Sequence, residues 1–167
     1  MFERFFPDEY LDSAYVVNYE KLYQEGYRGI LFDIDNTLVP HGAPADQEAI
    51  RLFQKLRDIG FSCCLVSINR KKRVEPFAAS VGAQFIEMAA KPSRKGYERA
   101  MERLGTNTGN TVFIGDQLFT DIWGAKNAGL RNILVKPINP KEEIQIVLKR
   151  YLEKIVLHFY TKEEKNS

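Results

Sequence analysis

Five short apolar runs rich in β-forming residues alternate along this chain with segments of helical periodicity. The runs are apolar almost throughout, which is typical of parallel strands that are covered on both faces. They lie at residues 29–33, 61–67, 84–87, 111–115 and 131–135. This order predicts an α/β fold, namely a doubly wound, mainly parallel five-stranded sheet with helices on both faces. In such a sheet, ligands bind beyond the carboxyl ends of the strands.

Three central segments each carry one stripe of apolar or small side chains, and each ends at a glycine, which readily terminates a helix. They are residues 45–59 before Gly60, 92–104 before Gly105 and 117–128 before Gly129. We therefore predict one domain over residues 1–167. It would have an aromatic and helical extension at 1–27, a core at 28–136 and a terminal helix within 140–161.

Charge and cysteine content exclude several classes of protein. A net charge of +2 does not indicate a nucleic-acid binder. Cys63 and Cys64 are adjacent, so in a strand their side chains face opposite ways and form neither a disulfide nor a metal site. We expect both to be reduced core residues of a cytoplasmic protein. No apolar run approaches the ~20 residues that cross a bilayer, so any membrane contact would be peripheral.

Carboxylates follow two of the predicted strands. Asp33 ends the first run, Asp35 stands two residues later, and residues two apart in an extended chain face the same way. Asp116 ends the fourth run, and Asp121 follows it. Carboxylates this close repel one another unless a cation lies among them, and Mg²⁺ prefers such hard oxygen ligands. The sequence therefore predicts a magnesium site at the carboxyl edge of the sheet.

Phosphate-binding groups follow the second and third predicted strands. Ser67 closes the second run, and Lys91 follows the third. A hydroxyl and an ammonium group both donate to phosphate oxygens. Each of the first four runs thus ends in a group suited to phosphate or to its metal.

These residues resemble the motifs of the haloacid dehalogenase (HAD) superfamily of phosphohydrolases. That family carries Asp-x-Asp-x-Thr, a Ser or Thr at a strand end, a Lys, and an acidic pair in Gly-Asp-x-x-x-x-Asp. The matching elements here are Asp33-Ile34-Asp35-Asn36-Thr37, Ser67, Lys91, and Gly115-Asp116 with Asp121. All four stand in the family's order and cover nearly the whole chain. The resemblance implies a Mg²⁺-dependent phosphatase that works through an aspartyl-phosphate.

The resemblance also implies individual roles. Asp33 would attack phosphorus, while Asp35 would protonate the leaving oxygen and then activate water. Asp33, Asp116 and the backbone carbonyl of Asp35 would hold the metal. Ser67 and Lys91 would bind the non-bridging phosphate oxygens.

Two further motif residues would support the site. Thr37 would orient the loop around the carboxylates. Asp121 would either position Lys91 or a metal-bound water, or have a purely structural role.

Many HAD enzymes insert a cap domain between the first three motifs. Here residues 37–67 leave room for one helix and one strand, and residues 67–91 leave room for another such pair. We therefore expect an open site without a large cap domain, which suits a bulky substrate or a lipid headgroup and still admits a small metabolite.

A basic segment, residues 69–73, falls where a helix should begin, and Lys91, Arg94 and Lys95 add charge nearby. Cations at a helix N-terminus oppose the macrodipole, so local helix energetics would not select them. They form either a solvated loop or an electropositive rim that attracts an anionic substrate or an anionic membrane surface.

At finer grain the chain resembles the YqeG-like branch of the family, which is related to phosphatidylglycerophosphate phosphatases. The resembling features are Phe-Phe-Pro-Asp near the start, Asp-Asn-Thr-Leu-Val, Ser-x-Asn, Lys-Pro and Gly-Asp-Gln-x-x-Thr-Asp. The branch implies that Asn69 contacts the substrate, although Ile68 departs from the expected Ser-Asn-Asn. The substrate is then phosphatidylglycerophosphate, another phosphorylated metabolite or a phosphoprotein. A regulatory module that binds phosphate without turnover is the non-enzymatic alternative.

The first residues are dense in aromatic side chains, among them Phe2, Phe5 and Phe6. They either pack against the core or dock into a membrane interface. His41 follows the first motif, where it either lines the site or faces solvent. The sequence does not indicate an oligomeric state.

Overall fold

A computed structural model describes residues 2–139 and 144–167 of the chain. The strands are β1 Glu9–Leu11, β2 Gly29–Phe32, β3 Ser62–Val66, β4 Gln84–Ile86, β5 Thr111–Gly115 and β6 Arg131–Val135. The helices are α1 Tyr19–Gln24, α2 Gln47–Ile59, α3 Lys71–Val81, α4 Lys95–Leu104, α5 Trp123–Asn127 and α6 Ile144–Asn166. Short 3₁₀ turns lie at Glu3–Phe5 and Ala14–Val16, and a π-helical turn spans Leu118–Ile122.

The strands form a single sheet in the order β1-β6-β5-β2-β3-β4, and every pair is parallel. The predicted parallel α/β architecture is confirmed, but the sheet has six strands rather than the predicted five. The additional strand, β1, lies in the segment predicted to be an aromatic and helical extension. It has only three residues and sits at the edge beside β6. Such a short strand carries too little periodicity to be recognised from sequence.

Side chains alternate between two cores, one on each face of the sheet. Ile30 and Phe32 pack with α1, α2 and α3, whereas Leu31 of the same strand packs with α4 and α5. Cys63 and Cys64 are buried, unpaired and divided between these two cores, as predicted. Burial raises the pKa of each thiol to about 12, so both are unreactive.

The ends of the central helices have local causes. Asp46 caps α2, since its Oδ1 accepts from the backbone N–H of Ala49 at 2.8 Å. Gly105 ends α4 in the left-handed region at φ 68°. Helix α4 starts at Lys95, three residues after the predicted Pro92. The predicted helix 117–128 is divided into the π-helical turn and α5.

The terminal helix α6 packs against the N-terminal segment. Val156 of α6 lies in one apolar cluster with Phe5, Leu118 and Leu134. The helix runs to Asn166, past the predicted end at 161, because Glu164 and its neighbours form helical contacts such as Tyr160 Oη to Glu164 Oε1 at 2.9 Å. The predicted start of this helix, 140–143, lies outside the described residues.

The intervals from Thr37 to Ser67 and from Ser67 to Lys91 are both fully described, and neither contains an inserted domain. The first holds a loop with α2 and β3, and the second holds α3 and β4. The expectation of no large cap is therefore confirmed. Among the described helices, none is both long and apolar enough to cross a membrane.

Candidate active site

The two central strands, β2 and β5, bring the predicted carboxylates together. Asp33 directly follows β2, and its backbone N–H donates to Ile114 of β5 at 3.0 Å. Asp116 directly follows β5, and Asp121 lies in the π-helical turn beyond it. All three side chains are buried, and ligand oxygens of the three lie within 4.8 Å of one another. They form the acidic cluster: Asp33, Asp116 and Asp121.

Lys91 lies at the centre of this cluster. Its Nζ donates to Asp33 Oδ1 at 2.9 Å, to Asp121 Oδ1 at 2.6 Å and to the Val66 carbonyl at 3.1 Å. The Lys91 side chain is only 2% exposed. Because all three of its hydrogens have acceptors, the ammonium group is held in one position.

Thr37 joins the first and fourth motifs. Its hydroxyl lies 3.1 Å from Asp116 Oδ1 and 3.4 Å from Asp33 Oδ2. The preceding residue, Asn36, adopts the left-handed region at φ 63° and donates its N–H to the Val39 carbonyl at 2.7 Å. This tight turn brings Thr37 back over the carboxylates that follow the strand ends.

The electrostatics of the cluster are dominated by burial. Burial and the charge of Asp121 raise the pKa of Asp33 well above its usual value, while Lys91 opposes this shift. Burial and Asp121 also raise the pKa of Asp116 to about 6, against the effect of Arg150. Burial alone would lower the pKa of Lys91, but Asp121 and Asp33 outweigh it and the pKa is raised. Lys91 therefore stays charged.

The donor set fits a hard divalent cation. The acidic cluster offers carboxylate oxygens only, which Mg²⁺ prefers. Three buried carboxylates face two buried or half-buried cations, Lys91 and Arg150. Burial and the neighbouring carboxylate of Asp121 both disfavour the ionised forms of Asp33 and Asp116, and a further cation would favour them.

Asp35 makes a separate set of contacts on the other side of the first motif. Its Oδ1 accepts from the Gly42 N–H at 2.7 Å and from Arg73 Nη2 at 3.0 Å, and its Oδ2 accepts from Asn69 Nδ2 at 2.7 Å. His41 Nδ1 lies 4.0 Å from Asp35 Oδ1, with its side chain 70% exposed. The sequence placed Asn69 near phosphate, whereas in the structure its amide is bonded to Asp35.

Ser67 is buried directly after β3. Its Oγ accepts from the backbone N–H of Asn69 at 3.1 Å. Within the described part of the chain, the Ser67 hydroxyl donates to no protein acceptor, so its hydrogen is free to meet a ligand. Helix α3 is capped at Arg70 rather than at Ser67, which argues against a capping role for the serine.

Arg150 of α6 is the contact that sequence reasoning missed. It donates to Asp116 Oδ2 at 2.5 Å, to the Asp116 carbonyl at 2.7 Å and to Glu153 Oε2 at 3.3 Å. Glu153 in turn accepts from the Leu118 N–H at 3.0 Å. No motif surrounds Arg150 in the sequence, and it lies 34 residues from its partner, so only its positive charge could have suggested the contact.

The predicted basic rim is smaller than expected. Lys91 and Arg73 are bound to carboxylates of the site and do not belong to the exposed surface. Arg70, Lys71, Lys72, Arg94 and Lys95 are exposed.

Sequence comparison identifies a family-model match and a relative that aligns over most of the chain. The family model described as HAD-hydrolase-like matches residues 88–138. The protein named "Probable phosphatase YqeG" of Bacillus subtilis is 34% identical over 159 residues, covering 94% of this chain and 92% of that protein.

One more distant relative is similar to this chain in sequence, and one solved structure is similar to it in fold. Phosphatidylglycerophosphate phosphatase 1 of Arabidopsis thaliana is 24% identical over 83% of this chain and 45% of its own length. The crystal structure of the 3-deoxy-D-manno-octulosonate 8-phosphate phosphatase of Moraxella catarrhalis, solved with magnesium, phosphate and the sugar, superposes with a TM-score of 0.54. It is 16% identical, over 72% of this chain and 75% of that one.

Proposed function

Since the chain belongs to the YqeG family of HAD-type phosphatases, we propose that it hydrolyses a phosphomonoester with Mg²⁺ through an aspartyl-phosphate on Asp33. One observation carries the proposal. Lys91 Nζ lies 2.9 Å from Asp33 and 2.6 Å from Asp121, while Thr37 joins Asp33 to Asp116. Hydrogen bonds therefore link the candidate nucleophile, Asp33, to the candidate phosphate-binding cation, Lys91, and through Thr37 to the candidate metal ligand, Asp116.

Asp33, Asp116 and the backbone carbonyl of Asp35 would hold the metal. When bound, Mg²⁺ supplies positive charge that neutralises the phosphate oxygens. The Asp33 carboxyl would also be kept ionised, because a nearby divalent cation favours the charged form that nucleophilic attack requires.

Asp33 would begin the reaction. One of its carboxylate oxygens forms a bond to phosphorus as the bond from phosphorus to the ester oxygen breaks. Lys91, exchanging its bond to Asp33 Oδ1 for one to the substrate, and the free hydrogen of Ser67 would donate to the non-bridging oxygens, where negative charge must be stabilised. The leaving oxygen takes a proton from Asp35.

Asp35 would then act as a general base in the second step. A water attacks phosphorus, Asp35 accepts its proton, and the bond between phosphorus and Asp33 breaks to release inorganic phosphate. Three donors, from Gly42, Asn69 and Arg73, hold the Asp35 carboxyl in place for both steps. Asp121 would keep Lys91 in position.

A generic phosphomonoester tests this chemistry. The purified protein should hydrolyse p-nitrophenyl phosphate with Mg²⁺ but not with EDTA, and Asp33→Asn should abolish turnover. Asp58→Asn, which changes an exposed carboxylate of α2, is the matched control. Mg²⁺ should also raise the Tm of the wild type, because binding to the folded state stabilises it. Metal-independent activity that survives in Asp33→Asn would overturn the proposal.

For the substrate we favour the lipid phosphatidylglycerophosphate, acted on by a cytoplasmic protein at a membrane surface. Three observations support it: neither interval between the first three motifs holds an inserted domain, exposed cations lie at the starts of α3 and α4, and the Arabidopsis relative carries that activity in its name. A soluble phosphorylated metabolite or a phosphoprotein is the alternative substrate, and a phosphate-binding module without turnover is the alternative function.

Activity against a panel of substrates distinguishes these alternatives. The panel would contain phosphatidylglycerophosphate in vesicles beside soluble sugar and nucleotide phosphates. Hydrolysis of the lipid at the highest kcat/KM would support the assignment, whereas hydrolysis of the soluble compounds alone would reject it. Failure on every compound, with phosphate still bound, would favour the module without turnover.

A further inference from the structure

Two large apolar side chains are exposed in the loops that follow β3 and β4. Ile68 is 57% exposed in the loop after β3, and Met88 is 66% exposed in the loop after β4. Ile68 lies between Ser67 and Asn69, and Met88 lies three residues before Lys91. Both therefore sit at the carboxyl edge of the sheet, which also carries the acidic cluster.

The two loops are bonded to each other, so their apolar residues belong to one surface. The Met88 N–H donates to the Asn69 carbonyl at 2.8 Å, and the Ala89 N–H donates to the Ser67 carbonyl at 2.8 Å. Met88 adopts φ 50°, a left-handed conformation that is rare for such a side chain. An outlier of this kind persists only where surrounding contacts hold it. We call residues 67–70 and 87–90 the paired loops.

Cations without a carboxylate partner adjoin the paired loops. Arg70 and Lys72 lie at the start of α3, and Lys95 opens α4. Within the described residues, none of these three forms a salt bridge, although Lys71 and Arg94 pair with Glu75 and Glu98. The surface therefore presents exposed apolar groups together with unneutralised positive charge.

This combination fits an anionic bilayer better than it fits a protein. Protein interfaces are depleted in lysine, whose desolvation is costly. A membrane interface instead accepts apolar side chains into the acyl boundary while lysine and arginine remain at anionic headgroups.

The aromatic residues of the N-terminus pack on other parts of the protein, Phe2 among them against Phe159. Phe5 is buried against Trp123 and Phe119, and Phe6 packs on Tyr160. Helix α6 presents another exposed apolar stripe, which includes Leu152 and Ile155. That stripe belongs to α6 and includes none of the residues of the paired loops, so substitutions in it provide a control.

We propose that the paired loops dock the protein on an anionic membrane, with Ile68 and Met88 in the interface and Arg70, Lys72 and Lys95 on the headgroups. The inference deepens the proposed function, and rests on it for the statement that the docked site receives a lipid phosphate. Docking in this orientation turns the carboxyl edge, and with it Asp33, toward the bilayer surface.

The test is vesicle co-sedimentation of the full chain, with phosphatidylcholine vesicles that contain or lack phosphatidylglycerol. We expect wild-type protein to bind only the anionic vesicles. Ile68→Ser with Met88→Asn should lower the partition coefficient at least about tenfold. Asparagine is chosen at 88 because it tolerates the left-handed region. Arg70→Gln with Lys72→Gln should lower it by a similar factor.

The matched control is Leu152→Ser with Ile155→Ser on α6, which should bind like the wild type. Hydrolysis of p-nitrophenyl phosphate should be unchanged in Ile68→Ser with Met88→Asn, which shows that this variant folds. The proposal is overturned if wild type does not bind anionic vesicles, or if the α6 pair lowers binding while the loop pair does not. Vesicle binding without phosphatase activity would leave docking standing and reject the proposed reaction instead.

Discussion

Arg150 of α6 donates to the Oδ2 of Asp116 at 2.5 Å, so that a helix from the end of the chain is bonded to a candidate metal ligand. The Asp116 side chain is fully buried, and that of Arg150 is 18% exposed. Arg150→Gln should lower the free energy of unfolding by about 2–4 kcal/mol, because removing one partner of a buried pair leaves the other charge uncompensated. Urea unfolding in EDTA at pH 7.5 measures this.

Lys154→Gln, an exposed change on the same helix, should alter the free energy of unfolding by less than about 0.5 kcal/mol. The double variant Arg150→Gln with Asp116→Asn should be more stable than the sum of the single changes predicts. Additive effects would show that the two residues do not interact in solution.

Asp116→Asn should remove a pH dependence from the stability of the metal-free protein. The pKa of Asp116 is about 6 in the fold, against an ordinary 3.8. The folded protein thus keeps a proton that the unfolded chain has lost, so stability falls as pH rises from about 4 to 6, and the cost persists above pH 6. The stability that wild type loses between pH 4 and pH 7.5 through this group, about 1–3 kcal/mol, should not be lost in Asp116→Asn.

Thermal unfolding in EDTA at both pH values checks this, with Asp58→Asn as the control that should keep the pH dependence of wild type. The same Asp116→Asn variant should lose the Tm increase that Mg²⁺ gives to wild type. The difference in Tm between Asp116→Asn and wild type should be more positive at pH 7.5 than at pH 4. The opposite order would contradict the upward direction of the pKa shift of Asp116.

Lys91→Met should remove both activity and stability. The change keeps an unbranched side chain that is one atom shorter, but leaves Asp33 and Asp121 without their shared donor. We expect kcat to fall at least about 10²-fold and the free energy of unfolding to fall by about 3–5 kcal/mol. Turnover of p-nitrophenyl phosphate and urea unfolding measure the two effects. Lys95→Met, which changes an exposed residue, should alter neither, and a Lys91→Met enzyme with normal kcat would remove Lys91 from the mechanism.

Asn69→Ala distinguishes two roles for that side chain. Because its amide lies 2.7 Å from Asp35 Oδ2, we expect a loss of about tenfold in kcat with KM little changed, since a misplaced proton donor slows the chemical step. A rise in KM at constant kcat would instead assign Asn69 to substrate binding, as the family resemblance implies. Asp35→Asn with Asn69→Ala should be no slower than Asp35→Asn alone.

Part of the site follows from local sequence. Apolar runs end at Asp33, Ser67 and Asp116, and parallel strands place their carboxyl ends at one edge. Strand pairing therefore brings these residues together without any further information. Lys91 follows by the same rule, since it comes soon after β4.

Other contacts could not have been predicted in this way. The short edge strand β1 exists because it pairs with β6, and three residues alone carry no periodic signal. Arg73 appeared to belong to an exposed rim, yet its side chain folds back to Asp35. The orientation of a long side chain depends on neighbours from other elements, which no local pattern specifies.

The fold class, the residue types at the strand ends and the absence of an inserted domain between the motifs can be read from the amino-acid sequence, because periodicity and spacing are properties of the chain. Which charges meet depends on how the elements pack. Arg150 reaches Asp116, Asn69 reaches Asp35, and Ile68 and Met88 share one surface through backbone bonds between two loops. These contacts join residues far apart in sequence, so they arise only when helices and loops pack around the finished sheet.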